Sequence, residues 1–278
     1  MKIGIFDSGL GGLFLMRPIA EALPRYDYLY LGDTAKLPYG DKSPNEVYRL
    51  ALKAVKYLLE HNCELVLVLC NTISAEALRK MQMEFLPKHF PKRRILGIII
   101  PTVEAVYQLY TQPHDREPMY THKKIGILAT HGTVISRAYV REIHKLLPDA
   151  QVFQQSAPKL VPMIESGVLR TLAYARVLNT YLKSLLAKNI NTLILGCTHY
   201  PILKSHIKKL LPAHVRLICQ NEIISEKLKT YLTRHPEIES QLTRSSSHQF
   251  LVTMLTPHFE KEAKAWFGDE IKLEEVAY

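Results

Sequence analysis

Two cysteines in this sequence stand where a thiol can do acid–base work. In "LVLVLCNTIS" (65–74) an apolar run reads as a strand buried on both faces, and it ends on Cys70, Asn71 and Thr72, with Ser74 beyond. Asn, Thr and Ser are helix-opening residues, so Cys70 falls at a strand-to-helix turn. The context recurs in "NTLILGCTHYP" (191–201), where Thr192–Leu195 lead into Gly196, Cys197, Thr198 and His199. A thiol with an unperturbed pKa near ~8.5 can give or take a proton, and a helix N-terminus or a cationic His beside it lowers that value. The other two cysteines, Cys63 and Cys219, lack this setting. No CxxC or other paired ligand spacing joins the four, so zinc is not expected, and nothing suggests disulfides.

The elements that must hold these turns follow from the alternation of apolar runs and helical patterns. "KIGIFD" (2–7), "YDYLYLGD" (26–33), "ELVLVLCN" (64–71) and "RILGIII" (94–100) read as strands. Between them "LALKAVKYLLEHN" (50–62) has a one-sided helical face at Leu52, Val55, Leu58 and Leu59. Strands separated by amphipathic helices make a parallel α/β sheet. The pattern begins again at "KIGILATHGT" (124–133) and continues through "AQVFQQSAP" (150–158) to the second cysteine strand, which gives two pseudo-equivalent units with one cysteine each. "YTQPHDREPMYTHKK" (110–124) reads as an excursion between strands. Residues 1–97 with 213–278 are assigned to an N-terminal domain completed by the C-terminal tail, and 98–212 to a second domain.

Bulk properties narrow the partners. With 278 residues, 47% hydrophobic and 22% charged, the chain has the composition of a globular protein rather than a disordered or fibrous one. The start "MKIGIFDSG" is not of signal-peptide type, and no run approaches the ~18–20 apolar residues of a membrane helix, so a cytoplasmic, non-membrane protein is expected. Net charge is +10, yet the densest basic stretch, "KHFPKRR" (88–94), matches no nucleic-acid fold signature and reads as a solvated loop. In open parallel sheets ligands sit beyond the carboxyl ends of the strands, where "FDSGLGG", "CNT", "ATHGT" and "GCTH" all project. "DSGLGG" is neither the dinucleotide fingerprint nor a phosphate loop. Turns bearing Ser8, Asn71, Thr72, Thr130, Thr133 and Thr198 suit a small carboxylate.

In order, "FDSGLGGL" (6–13), "GDTAKLPYGDKS" (32–43), "VLCNTIS" (68–74), "IGILATHGTVIS" (125–136), "LVPMIESG" (160–167) and "LGCTHYPIL" (195–203) resemble the glutamate racemases of the aspartate/glutamate racemase family. The resemblance implies an α/β protein with two pseudo-symmetric Rossmann-like (flavodoxin-like) domains, mainly parallel sheets, and the active site in the cleft between them. It implies interconversion of L- and D-glutamate, supplying D-glutamate for peptidoglycan, by a homodimer. Cys70 and Cys197 correspond to the two acid/base cysteines, with Asp7 and His199 assisting and Glu165 as a further active-site carboxylate. Ser8, Pro38, Tyr39, Gly40, Asn71, Thr72, Thr130, Thr133 and Thr198 fall on substrate-binding positions, shared with Asp7 and His199.

Such chemistry explains a pair of thiols. Inverting an α-carbon requires one group to remove the proton from one face and a second to deliver a proton to the other, with roles exchanged in reverse. A racemase acting on aspartate or a related amino acid shares this logic. A regulatory binder on the same fold, such as the DNA gyrase inhibition associated with some members, would not need both thiols, and the basic balance does not demand it. The chain departs from the family pattern at Ile100 and Thr102 in "IIIPTVEA", where Glu-Pro-Gly is common, and at Ser156, where a cysteine is usual. "LICQNEI" (217–223) and "FLVTMLTPHF" (250–259) lack the common Asp-Ser and Thr-Gly-Asp sequences. These changes bear on regulation and interdomain contacts rather than on reaction type.

Nothing in the sequence marks a pyridoxal lysine, and two thiols need no electron-sink cofactor. Activity is therefore expected to survive exhaustive dialysis against a chelator under reducing conditions. Restoration of lost activity by an added metal, pyridoxal phosphate or nucleotide would overturn that expectation.

Overall fold

A computed structural model describes residues 1–112, 122–169 and 171–278. Most of the excursion expected at 110–124 lies outside these residues. Among the described residues ten strands form two sheets. The first combines β1 (Lys2–Asp7), β2 (Tyr28–Gly32), β3 (Cys63–Val68), β4 (Arg94–Gly97), β9 (His248–Val252) and β10 (Leu273–Glu275) in the order β10-β9-β2-β1-β3-β4. The second combines β5 (Lys124–Ala129), β6 (Gln151–Ser156), β7 (Thr192–Gly196) and β8 (Arg216–Ile218) in the order β6-β5-β7-β8. All pairings are parallel.

The two sheets share one core arrangement. In each, the first strand lies between the second and the third, with the fourth outside the third. The chain thus reverses its direction of travel across the sheet at the β1/β3 pair and again at the β5/β7 pair. Such switch points open a crevice beyond the strand ends, because the connections leave to opposite faces. Phe6 pairs with Val68 and Ala129 with Gly196, so Asp7 and Ser8 emerge beside Cys70, and Thr130 beside Cys197.

The fully buried residues of β1, β3, β5 and β7 explain why these strands read as continuous apolar runs. The helix α2 (Pro44–Glu60) starts with Pro44 at its first position, and Ser43 Oγ accepts from the Glu46 N–H at 3.3 Å. Its buried stripe runs through Val47, Ala51, Ala54, Val55 and Leu58, while Leu52, placed on that face from sequence, is half-buried. One apolar cluster continues from Ile3, Tyr30 and Leu65 of the first sheet to Leu128, Leu195 and Tyr200 of the second, so the two units share a core.

The structure moves one boundary. A return to the first domain at 213 does not hold, because β8 pairs with β7 at Thr192↔Arg216 and Ile194↔Ile218 and closes the second sheet. The return follows residue 218. A three-residue strand that begins on an exposed Arg offers no alternation or apolar run to read. Beyond it, β9 and β10 extend the first sheet past β2. Among the described residues no helix is long and apolar enough to cross a membrane.

Cys63, at the start of β3, is wholly enclosed, and burial pushes its thiol up to about 12. An unfolded thiol ionises near ~8.5, so between that pH and about 12 the folded chain retains a proton that the unfolded chain releases. Folding stability from this group is present below ~8.5 and declines as pH rises through that window. Urea unfolding of the parent and Cys63→Ala at pH 7.5 and pH 10, under reducing conditions, should show the gap between them narrowing by roughly 1–2 kcal/mol. A gap independent of pH would contradict it.

Candidate active site

The ends of β1 and β3 from the first sheet and of β5 and β7 from the second meet around one cleft. Eleven of the residues singled out from sequence line it: Ser8, Pro38, Tyr39, Gly40, Cys70, Asn71, Thr72, Thr130, Cys197, Thr198 and His199. Ala157, Pro158 and Val161 add an apolar wall that no sequence signal marked. Both thiols border this space, one from each sheet, whereas Cys63 and Cys219 do not.

Asp7, Thr133 and Glu165 are not in the lining. Asp7 lies fully buried beneath the cleft, where its Oδ2 accepts from the N–H of Gly12 at 3.0 Å and of Gly9 at 3.2 Å. These N–H groups belong to the start of the helix α1 (Gly11–Ala22) and the turn before it. Thr198 Oγ1 donates to Asp7 Oδ1 at 3.4 Å, tying the first sheet to the loop that carries Cys197. The glycines permit this approach: a methyl group at Gly12 would stand 2.5 Å from Asp7 Cβ, and one at Gly11 would stand 2.6 Å from His199 Nδ1. Burial raises the pKa of Asp7, against the opposing pull of His199 and the two backbone N–H groups.

The two sulfurs have different neighbours. Cys70 Sγ lies 3.3 Å from Ser8 Oγ. Burial, with the Asp7 charge adding to it, pushes the Cys70 thiol up to about 12 despite its bonds to Ser8 and the Ile73 N–H. Cys197 Sγ lies 3.9 Å from His199 Nδ1, and His199 Nε2 meets Glu165 Oε1 in a close ion-pair contact. Burial alone would hold the imidazole down, but its bonds to Cys197 and Glu165 and the Glu165 charge carry its pKa well above the usual histidine value. Glu165 therefore reaches the site through His199. The indole of Trp266, from the helix Pro257–Trp266, packs at right angles to the imidazole, with ring centroids 5.8 Å apart.

Hydroxyls and an amide line the rest. Thr72 Oγ1 and Thr130 Oγ1 are 2.8 Å apart across the two units, and Thr133 Oγ1 is 3.0 Å from Thr130 Oγ1, so Thr133 orients a lining residue from behind. Tyr39 turns its hydroxyl away from the cleft and donates to Asp33 Oδ2 at 2.6 Å. Among the described residues no lysine or arginine lines the cleft, and no three His, Cys, Asp or Glu are arranged to hold a metal ion. An anion here is met by hydroxyls, a carboxamide and the His199 imidazole, with Asp41 also on the lining.

The sequence profile of the Asp/Glu/hydantoin racemases matches residues 11–228. This chain belongs to that family. Among curated members it is 34% identical over 277 residues to the glutamate racemase of Sulfurihydrogenibium sp., covering 99% of this chain and 97% of the relative. It is 35% identical over 276 residues to that of Persephonella marina, with the same two coverages. Among solved structures, the glutamate racemase of Francisella tularensis in complex with D-glutamate superposes with a TM-score of 0.84 at 31% identity, covering 99% of this chain and 97% of that one. A Bacillus anthracis glutamate racemase isoform gives 0.86 at 30% identity with the same coverages. These neighbours bear out the two-domain Rossmann-like architecture expected from the resemblance. An aspartate racemase from Picrophilus torridus, at 16% identity and a TM-score of 0.53, shares the fold.

Behind the lining, Gln220, Tyr139 and Asp33 were likewise not picked out from sequence. Each is buried and hydrogen-bonded behind a lining residue, a role without a local pattern. Access separates the cysteines, with Cys70 and Cys197 opening on the cleft and Cys63 and Cys219 sealed in cores. Limited alkylation of the native protein by iodoacetamide, mapped by mass spectrometry, should label Cys70 and Cys197 ahead of the other two. Earlier labelling of Cys63 or Cys219 would contradict this geometry.

Proposed function

We propose that this chain is a glutamate racemase that inverts the α-carbon by passing protons between two thiols, without a cofactor. The observation that carries the reading is the delivery of one cysteine from each of two like-ordered parallel sheets to a single cleft, in a chain that glutamate racemases match along nearly its whole length. The substrate carboxylates would be met by Ser8, Asn71, Thr72, Thr130 and Thr198, and the apolar wall of Ala157, Pro158 and Val161 would keep water from the carbanionic carbon.

From the family resemblance, Cys70 takes the proton from D-glutamate and Cys197 the proton from L-glutamate. The sulfur that did not abstract then donates to the opposite face, so one turnover leaves the two proton loads exchanged. Ser8 and Asp7 serve the first sulfur. His199, held cationic by Glu165, serves the second, since a fixed imidazolium can donate toward Cys197 and balance the negative charge that builds between the thiols. The product would feed the class of reactions that build D-amino acids into peptidoglycan, and the active species would be a homodimer in the cytoplasm.

Either enantiomer of glutamate incubated in deuterated water should exchange its α-proton and racemise. Cys70→Ser and Cys197→Ser replace each sulfur by a hydroxyl that is a far poorer base at neutral pH, with little change of volume. Both variants should unfold cooperatively near the parent, yet lose activity by orders of magnitude in both directions, because the missing group is the base one way and the acid the other. Near-parental turnover by either folded variant, read by chiral chromatography, would remove that cysteine from the mechanism. Inversion of aspartate in preference to glutamate by the parent would redirect the substrate assignment.

A further inference from the structure

Asn71 follows Cys70 directly and lines the cleft, but most of its carboxamide is committed to groups behind it. Its Nδ2 donates to Gln220 Oε1 at 2.8 Å, and Gln220 Nε2 donates back to Asn71 Oδ1 at 3.0 Å. Tyr139 Oη also donates to Asn71 Oδ1, at 2.8 Å. Gln220 Nε2 lies 3.1 Å from Thr102 Oγ1 and 2.9 Å from Tyr139 Oη. Asn71 is only 2% exposed, and Gln220, Thr102 and Tyr139 are fully buried.

The polarity of this web is set at one end. Thr102 Oγ1 donates to the Ile98 carbonyl at 2.7 Å, and a carbonyl can only accept, so the Thr102 oxygen must receive the Gln220 amide N–H. Gln220 Oε1 is thereby turned to Asn71 Nδ2. With Asn71 Oδ1 saturated by Tyr139 and Gln220, the one hydrogen of Asn71 left uncommitted is the second on Nδ2. Asn71 can then offer the cleft a donor and not an acceptor. A free carboxamide could rotate and present its oxygen, which would repel a carboxylate.

The web also crosses between the units. Asn71 opens the helix that follows β3 in the first, Tyr139 lies on the helix Ala138–Leu146 of the second, and Gln220 follows β8. Thr102 and Gln220 are 118 positions apart in sequence, and the fold brings them into contact.

We propose that Gln220, with its polarity fixed by Thr102, is a positioning residue for racemisation that locks the Asn71 carboxamide as a donor toward a substrate carboxylate. The proposal rests on the glutamate racemase reading. Gln220→Met keeps length and removes the amide, and Thr102→Val removes the group that sets the polarity. Each should raise KM for both enantiomers of glutamate about 3- to 10-fold, the scale of one neutral hydrogen bond, with a smaller change in kcat. In an Asn71→Ala background, Gln220→Met should raise KM no further, because its effect passes through Asn71. A merely structural role would instead add its effect to that of Asn71→Ala. Parental KM in a cooperatively folding Gln220→Met, or full additivity in the cycle, would overturn the proposal. If Gln220→Met does not fold, Thr102→Val takes its place in the same cycle and decides in the same way. An inactive parent would instead sink the racemase assignment, so the two failures are distinct.

Discussion

The two faces of a tetrahedral carbon look in opposite directions, so groups that strip a proton from one and restore it to the other cannot sit side by side on one sheet edge. That constraint fits the duplicated architecture. Each sheet has one pair of strands, β1 with β3 and β5 with β7, at which the chain reverses direction, and each releases a cysteine there. The shared apolar cluster between the units then holds two separately built edges in a fixed relation. Close-packed cores resist sliding, which suits a transfer that tolerates little error in sulfur placement.

Burial creates a second demand. Enclosing the thiols raises the cost of charge for every group around them, and the two halves meet it differently. Around Cys70 the neighbours are mostly neutral: Ser8, the Asn71 carboxamide with its buried web, and Asp7 neutralised in part by the start of α1. Around Cys197 the protein uses a charged pair, His199 with Glu165. The pseudo-symmetry of the backbone is thus not repeated in the electrostatics. Thr198 joins the two arrangements by its bond to Asp7, and the glycines at 11 and 12 allow the helix to come close enough for both.

The legible parts of the molecule were those with a local signature. β1, β3, β5 and β7 are buried on both faces, so their composition alone declares them, and the polar residues that follow Cys70 and Cys197 mark strand ends. Cys63 occurs against the same strand as Cys70 but opens it, and its context correctly set it apart as a core residue. Relations across long sequence separations were not legible. Gln220 touches Asn71 from 149 positions away, and nothing around it resembles a strand tip or a cap. Asp7 and Glu165 enter the site by resemblance alone, and each sits behind a residue that lines the cleft, Asp7 against Thr198 and Glu165 against His199. β8 has no legible signature, because three partly exposed residues show no periodicity, so the second unit runs past the boundary that the apolar pattern suggests.

The edge contact between Trp266 and His199 gives the last part of the polypeptide a hold on its centre. From the same helix His258 reaches the Glu165 carbonyl, and the preceding strand β9 docks beside β2. On a ribosome, both cysteine-bearing strands emerge long before residue 266 does. The imidazole beside Cys197 therefore gains its aromatic neighbour only after both cysteine strands have been made. A polypeptide that stopped short of residue 266 would carry both thiols and His199 without the indole that packs against that imidazole.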